Sequence, residues 1–339
     1  MRVLAAPDKF KGSVSARDVA AAIGHACWEL GIDCIEIPMA DGGDGLLDVL
    51  GGANRRSTVT GPLGDPVTAG WRLSGDTAVI EMARASGLVL AGGADVNQAL
   101  DATTTGTGEL IDHALDAGVK RIIVGLGGSA TTDGGFGAIR AISAIARLKQ
   151  VELLVACDVT TTFTDAASVF GPQKGASRSE VKLLERRLDR LVQMFDEDFD
   201  FDVTAVEGGG AAGGLGGALA ALGGRLIPGV ELVADELGVF DHLDIDNPER
   251  VDLIVTGEGR LDATSFAGKV VGGMLELGTD AGIPVAAVVG DADLASLGHH
   301  VDSLDVAVLS TRFGTDAAFA EPMRCIESAV ADLLRARLG

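Results

Sequence analysis

Carboxylates recur in this chain in short polar stretches that follow apolar runs: Asp8 after RVLAAP, Asp41 and Asp44 in ADGGDG, Asp158 after VELLVAC, and Glu258 with Asp262 in TGEGRLD. Lys9, Lys11, Lys174, Arg260 and Lys269 stand near them in sequence or in similar loops. A single carboxylate in such a place can cap a helix, ligate a divalent cation or act as a general base. Repeated over several loops, with glycine and cations alongside, the set suits phosphoryl transfer. There, cations spread the charge of the migrating group and a carboxylate takes the proton of the attacking hydroxyl.

The stretch GLGGSATTDGG, residues 125 to 135, follows the apolar run RIIV. Glycines in a strand-to-helix turn let backbone N–H groups approach an anion. Three readings stay open: a phosphate site, the pyrophosphate turn of a dinucleotide, or a close helix–strand crossing. Gly125, Gly127 and Ala130 match the dinucleotide pattern, with Glu152 at the distance of a ribose-binding acid, and GGGAAG (208 to 213) matches it again. With 48 glycines, chance matches are expected. No G-x-x-x-x-G-K-[ST] occurs, so a P-loop is excluded. In FGPQKGAS, Lys174 is either an exposed turn lysine or an anion ligand. The five histidines, among them His299 and His300, lack partners at metal-ligand spacing.

Lysine and arginine total 27 against 49 acidic residues, a formal net charge of -22. Such a field repels nucleic acid and anionic membranes, so neither is an expected partner, and an anionic substrate needs a local cluster of cations. The four cysteines show no metal spacing, which fits a reducing compartment. No signal-like start or bilayer-length apolar run is seen, and a cytoplasmic location is expected.

The elements that must position these groups alternate. RVLAAP reads as a strand, SVSARDVAAAIGHACWELG as a helix ended by Gly31, and IDCIEIPM as a second strand. Residues 57 to 82 read as an antiparallel meander. Alternation resumes from Thr105, with Ser177 and Glu180 forming a capping box before VKLLERRLDRLVQMF. DEDFDFD reads as a solvated connection, and a last helix is expected at roughly 316 to 337. The expected fold is α/β, with a Rossmann-like three-layer domain of parallel strands formed by residues 1–56 and 240–339. A glycine-rich second domain with a mixed sheet, residues 57–239, is inserted.

Taken together, APDKFKGSVSA, PMADGGDG, EMARASGL, TTTGTGEL, GLGGSATTDGG, FGPQKGA, GGGAAGGLGGAL and TGEGRLDATSFAGK resemble, in order, the glycerate kinase family of the bacterial type. The resemblance implies ATP-dependent, magnesium-assisted phosphorylation of D-glycerate, with 2-phosphoglycerate favoured, in a cleft between two α/β domains. It leaves room for a homodimer. Under it, Gly127, Gly128, Ser129 and Thr131 bind phosphoryl oxygens at a helix N-terminus, with Lys174 or Lys269. Asp158 and Glu258 are the candidate magnesium ligands, and Asp41 or Asp133 the candidate general base. Asp8, Lys9, Lys11 and Arg260 serve the acceptor, Arg260 being suited to a carboxylate. The segment between Gly135 and Ala156 is shorter than the family usually carries. The rival readings are an NAD(P)-dependent oxidoreductase acting on a hydroxyacid and a non-catalytic acidic ligand-binding protein.

Overall fold

The computed structural model describes residues 1–298 and 304–338; His299 and His300 lie outside them. Eleven strands are formed among the described residues: β1 (Arg2–Ala5), β2 (Asp33–Glu36), β3 (Arg55–Thr60), β4 (Pro66–Ser74), β5 (Thr77–Glu81), β6 (Arg121–Gly125), β7 (Glu152–Ala156), β8 (Arg225–Ile227), β9 (Leu253–Leu261), β10 (Val285–Ala292) and β11 (Asp305–Val308). The chain divides into two compact units, Met1–Asp41 with Gly229–Gly339, and Gly42–Pro228. Residues 42–56 thus group with the second unit, as do residues up to 228.

The first unit is built on a parallel sheet in the order β11-β10-β9-β1-β2. Successive residues of a strand face opposite sides of a sheet, so a strand buried on both faces reads as a continuous apolar run. Val3, Leu253, Val255, Ala286 and Val288 pack with Ile23, Ala26, Ile326 and Val330 of the helices Ala16–Glu29 and Pro322–Leu338. Ile254 and Val285 meet Gly278 of the helix Val270–Ala281. Helices on both faces give three layers. Ser15 caps the first helix by accepting the N–H of Asp18 at 3.2 Å, and Gly31, at φ +68°, lets the chain turn out of it. The expected last helix is two: Thr315–Ala320 stops at Glu321, and Pro322 starts the next, since proline cannot continue a helix but is favourable at its first position.

The second unit carries a mixed sheet in the order β3-β4-β5-β6-β7-β8. β3, β4 and β5 form the antiparallel meander, and β5 to β8 run parallel. Glu81, Gly125 and Ala156 are partners in register, so the segments that follow them leave the same edge. Thr77, Arg121 and Glu152 are partners at the opposite edge. Beside this sheet the helix Arg178–Phe199 is set by its capping box: Ser177 Oγ accepts the N–H of Glu180, and Glu180 Oε2 accepts that of Ser177. Leu184, Leu188 and Phe195 of its apolar face are buried. The acidic run at its end is spent locally: Asp200 closes the helix and Asp202 caps the turn Val203–Ala205.

Candidate active-site residues

In the first unit, three acidic groups collect at the carboxyl ends of the strands, where open α/β sheets bind ligands. Asp8 leaves β1 with its N–H on the carbonyl of Gly257 (2.8 Å) and its Oδ1 accepting the N–H of Lys9 (2.7 Å). Burial pushes the Asp8 carboxyl up to about 7, and the negative charge of Asp41 adds to the rise, while Lys9 opposes it. Glu258 is raised too, first by burial, with Ser265 and Lys269 pulling the other way and Asp262 and Asp41 raising it further. Its Oε1 is buried and has no hydrogen-bond partner among the described residues. Cations stand around the group. Lys269 donates to Thr264 Oγ1 at 2.8 Å, and the largely exposed Arg260 lies 4.0 Å from Asp262. Lys11 is exposed, its backbone close to Gly259.

The sequence places Glu258 and Arg260 on a loop after a strand; the structure places them within β9. The strand continues because β10 pairs with it as far as Ala292 opposite Leu261, well beyond the reach of β1. Asp262 then serves as a cap, accepting the N–H and hydroxyl of Thr264 at 2.9 and 2.6 Å.

In the second unit, the glycine-rich stretch after β6 is mostly a packing device. A Cβ at Gly125 would sit 2.5 Å from the carbonyl oxygen of Gly42, and one at Gly127 would sit 2.5 Å from the Cα of Gly43. The N–H of Gly134 donates to Gly213 (2.9 Å) and the hydroxyl of Thr131 to Ala212 (3.3 Å), so the two glycine-rich stretches interlock. The second one is kinked: Ala212, Gly213 and Gly214 all have left-handed φ, of 52°, 71° and 99°.

Asp133 occupies the helix start at which a phosphate was expected. Its Oδ2 accepts the N–H and hydroxyl of Thr104 (both 2.8 Å) and the N–H of Gly137 (3.2 Å), and its Oδ1 accepts the N–H of Gly135 (3.2 Å). Thr104 Oγ1 takes the N–H of Ala138. The helix Phe136–Ala141 therefore has its first amides satisfied within its own unit, Gly137 and Ala138 by side chains and Phe136 by the carbonyl of Asp133. Burial raises the Asp133 carboxyl, and these four donors restrain the rise. The amides of Gly127 and Gly128, in the preceding turn, form no backbone hydrogen bond among the described residues.

Lys174 is buried rather than an exposed turn lysine. Its Nζ donates to the carbonyl of Thr131 at 2.6 Å, and Asn97 Nδ2 ties the carbonyls of Ala130 and Lys174 together at 3.0 and 2.8 Å. Burial pulls its ammonium down to about 7, against the field of Asp133. Ser129 and Thr131 are also buried.

Two residues in EMARASGL were given no role from sequence. Glu81 is buried; its Oε1 accepts the N–H groups of Gly45 and Leu47 (3.0 and 2.8 Å), and its Oε2 accepts Nε of Arg84 (2.8 Å). The only sequence signal for this arrangement is an acid at the end of a buried strand with an arginine three residues on.

Glu152 lies at the edge of the sheet opposite the glycine-rich stretch and pairs with Arg121 and Arg225 at 3.0 and 3.6 Å. A ribose-binding acid belongs beside the pyrophosphate turn, so the dinucleotide reading loses its acid. Asp158 follows β7 in the second unit, partly buried. Among the described residues no three His, Cys, Asp or Glu side chains form a metal cluster, and all four cysteines are free. No helix among them is long and apolar enough to cross a membrane. Two surface grooves of about 450 and 380 Å³, one beside Thr60 and Glu109 and the other beside Val151 and Phe201, contain none of the predicted site residues.

The sequence profile of the glycerate kinase family matches residues 3–146 and 142–337. The chain is 37% identical to the glycerate 2-kinase of Escherichia coli K12, over 94% of this chain and 93% of the other, and 38% identical to a glycerate kinase of Bacillus subtilis 168, over 90% and 89%. A crystal structure of a protein described as a glycerate kinase 2, from Salmonella typhimurium LT2, superposes with a TM-score of 0.81 at 35% identity, covering 100% of this chain and 99% of that one. With these matches spanning nearly its whole length, the chain belongs to the glycerate kinase family and is an enzyme of the kinase class.

Proposed function

We propose that the enzyme transfers the terminal phosphoryl group of ATP to D-glycerate with the aid of magnesium, and that 2-phosphoglycerate is the product. The observation that carries this reading is the Asp8–Asp41–Glu258 group at the strand ends of the first unit, with Asp8 held near 7. A carboxylate with a pKa near the working pH is the most effective acceptor of a hydroxyl proton. Asp8 therefore acts as the base, its proton affinity raised by burial and by the negative charge of Asp41 so that it can take the proton of the acceptor hydroxyl. Asp133, with both oxygens engaged, is less suited to that role and more to holding its helix.

Lys9, Lys11 and Arg260 are the cations offered to the acceptor's carboxylate, Arg260 through two parallel hydrogen bonds. On the nucleotide side, the unbonded amides of Gly127 and Gly128 and the hydroxyl of Ser129 suit phosphate oxygens, in place of the helix start that Asp133 fills. In the first unit, Lys269 donates to Thr264 Oγ1 and suits an anion. The buried Oε1 of Glu258, without a hydrogen-bond partner among the described residues, fits a magnesium ligand in the first unit, and Asp158 is the alternative candidate in the second. Magnesium keeps several waters and phosphate oxygens in its shell, so one or two carboxylates suffice. When bound it neutralises the developing phosphate charge.

The choice of the 2-hydroxyl rests on the name of the Escherichia coli relative. The test is incubation of the purified protein with ATP, magnesium and D-glycerate, followed by ADP quantitation and phosphorus NMR of the product. ADP release tied to a 2-phosphoglycerate resonance is expected. Absence of glycerate-dependent ADP would end the reading, and a 3-phosphoglycerate signal would correct its regiochemistry.

A further inference from the structure

We infer that Arg84 is a ligand for an oxyanion of the reactants and that Glu81 is the residue that positions it; the inference rests on the kinase reading and extends it. Glu81 ends β5 in register with Gly125 of β6, so Arg84 projects from the edge that carries the glycine-rich turn. A Cβ added at Gly128 would meet the Cβ of Ala83 at 3.2 Å, which places Arg84 one residue from that turn.

The guanidinium is hydrogen-bonded on one side only, while the charges of Asp48 and Asp44 also act on it. Glu81 takes its Nε–H, while no hydrogen bond to the Nη nitrogens is formed among the described residues; Nη2 lies 3.9 Å from the exposed Asp48. The side chain is 44% exposed, whereas its partner carboxylate is 2% exposed. This is how a planar fork is fixed for bidentate recognition: one edge is anchored to a buried carboxylate, and the other edge offers two parallel N–H donors. Lys174, another cation of this unit, is buried and committed to the carbonyl of Thr131. In a chain of net charge -22, an exposed arginine fixed by a buried acid beside a turn of unbonded amides is a local attractor for an anion. The oxyanion is either an ATP phosphate or the carboxylate of the acceptor.

Three variants test this: Arg84→Ala, Glu81→Gln and the pair combined. Glu81→Gln keeps a carbonyl for the N–H groups of Gly45 and Leu47 but can set an NH₂ against the Arg84 Nε–H, so it releases the fork while preserving the loop contacts. Loss of a charge-assisted pair should raise the relevant KM, or lower kcat, at least tenfold in Arg84→Ala. A rise in KM for ATP identifies phosphate, a rise for D-glycerate identifies the carboxylate, and a fall in kcat alone identifies the migrating phosphoryl group. Glu81→Gln should give a smaller change of the same kind and add nothing in the double variant. KM and kcat within twofold of wild type in Arg84→Ala would overturn the ligand role. An additive loss in the double variant would overturn the positioning role of Glu81. Should the wild type release no ADP, the kinase reading fails separately. Thermal shifts with ATP and with D-glycerate then decide the inference: a shift from either that is reduced in Arg84→Ala supports it, and equal shifts, or none from either compound, sink it.

Discussion

Thr131 offers its carbonyl oxygen to the ammonium of Lys174 at 2.6 Å, joining the glycine-rich stretch to the Pro/Gly turn 43 residues further on. The contact is buried, and the ammonium is pulled down to about 7 from a usual 10.5 by the loss of water. Between those two values the unfolded chain holds a proton that the folded protein has released. Stability therefore rises with pH across the window from about 7 to about 10.5 and carries the full cost of the buried charge below 7. Lys174→Met removes that window. Urea unfolding near pH 6 and pH 9 should show the wild-type slope flattened, with stability at neutral pH changed by no more than about 1 to 2 kcal/mol. An unaltered slope would show that the ammonium is not the group responsible.

Asp8 gives the opposite sign. Its carboxyl is raised from 3.8 to about 7, so between those values the folded protein keeps a proton that the unfolded chain has lost. Stability from this group falls as pH rises through that window. Asp8→Asn should stabilise the protein at pH 8 by about 1 to 2 kcal/mol while reducing kcat by about a hundredfold or more, the usual trade at a site built for chemistry. Thermal unfolding at pH 5 and pH 8, paired with turnover, checks both halves.

Asp133 separates a structural acid from a catalytic one. Asp133→Asn replaces an all-acceptor group facing four donors with one that carries donors of its own. A loss of about 2 to 4 kcal/mol in stability is expected, with the activity of the remaining folded fraction close to wild type. A fully stable but inactive variant would return Asp133 to the chemistry.

Gly213 tests the interlock of the two glycine-rich stretches. A Cβ there would overlap the carbonyl oxygen of Thr131 and require a left-handed backbone as well. Gly213→Ala should cost about 3 kcal/mol or more, whereas Gly12→Ala, with a similar φ of 79° but open space around it, should cost about 1 kcal/mol. Equal losses at the two positions would mean that backbone strain alone governs them.

Local features of this chain were legible from residue types. Ser177 and Glu180 announce their helix because a capping box is completed within four residues, and the meander around β3 to β5 announces itself through its turns. Asp8 and Asp41 stand in polar segments that follow the apolar strands β1 and β2, which is why sequence singles them out. What escaped depends on partners far away in sequence. Whether Glu258 lies in a loop or a strand is decided by β10, and whether Glu152 can face the glycine turn is decided by register. The burial of Lys174 depends on the carbonyl of Thr131, and the role of Glu81 on amides 34 and 36 residues away. In GLGGSATTDGG the residue type does not separate the two demands on glycine, because a close approach of backbone to backbone requires the same residue as a close approach of backbone to ligand.

The order of strands in the first sheet carries a consequence for synthesis. β1 lies between β2 and β9, so it finds one neighbour within 36 residues and must wait for residue 253 and beyond for the other. The second unit, one uninterrupted run of chain, can close on itself while the opening strands are still without their centre. Nascent chains halted before β9 should consequently resist protease between residues 42 and 228 and be cut readily ahead of them.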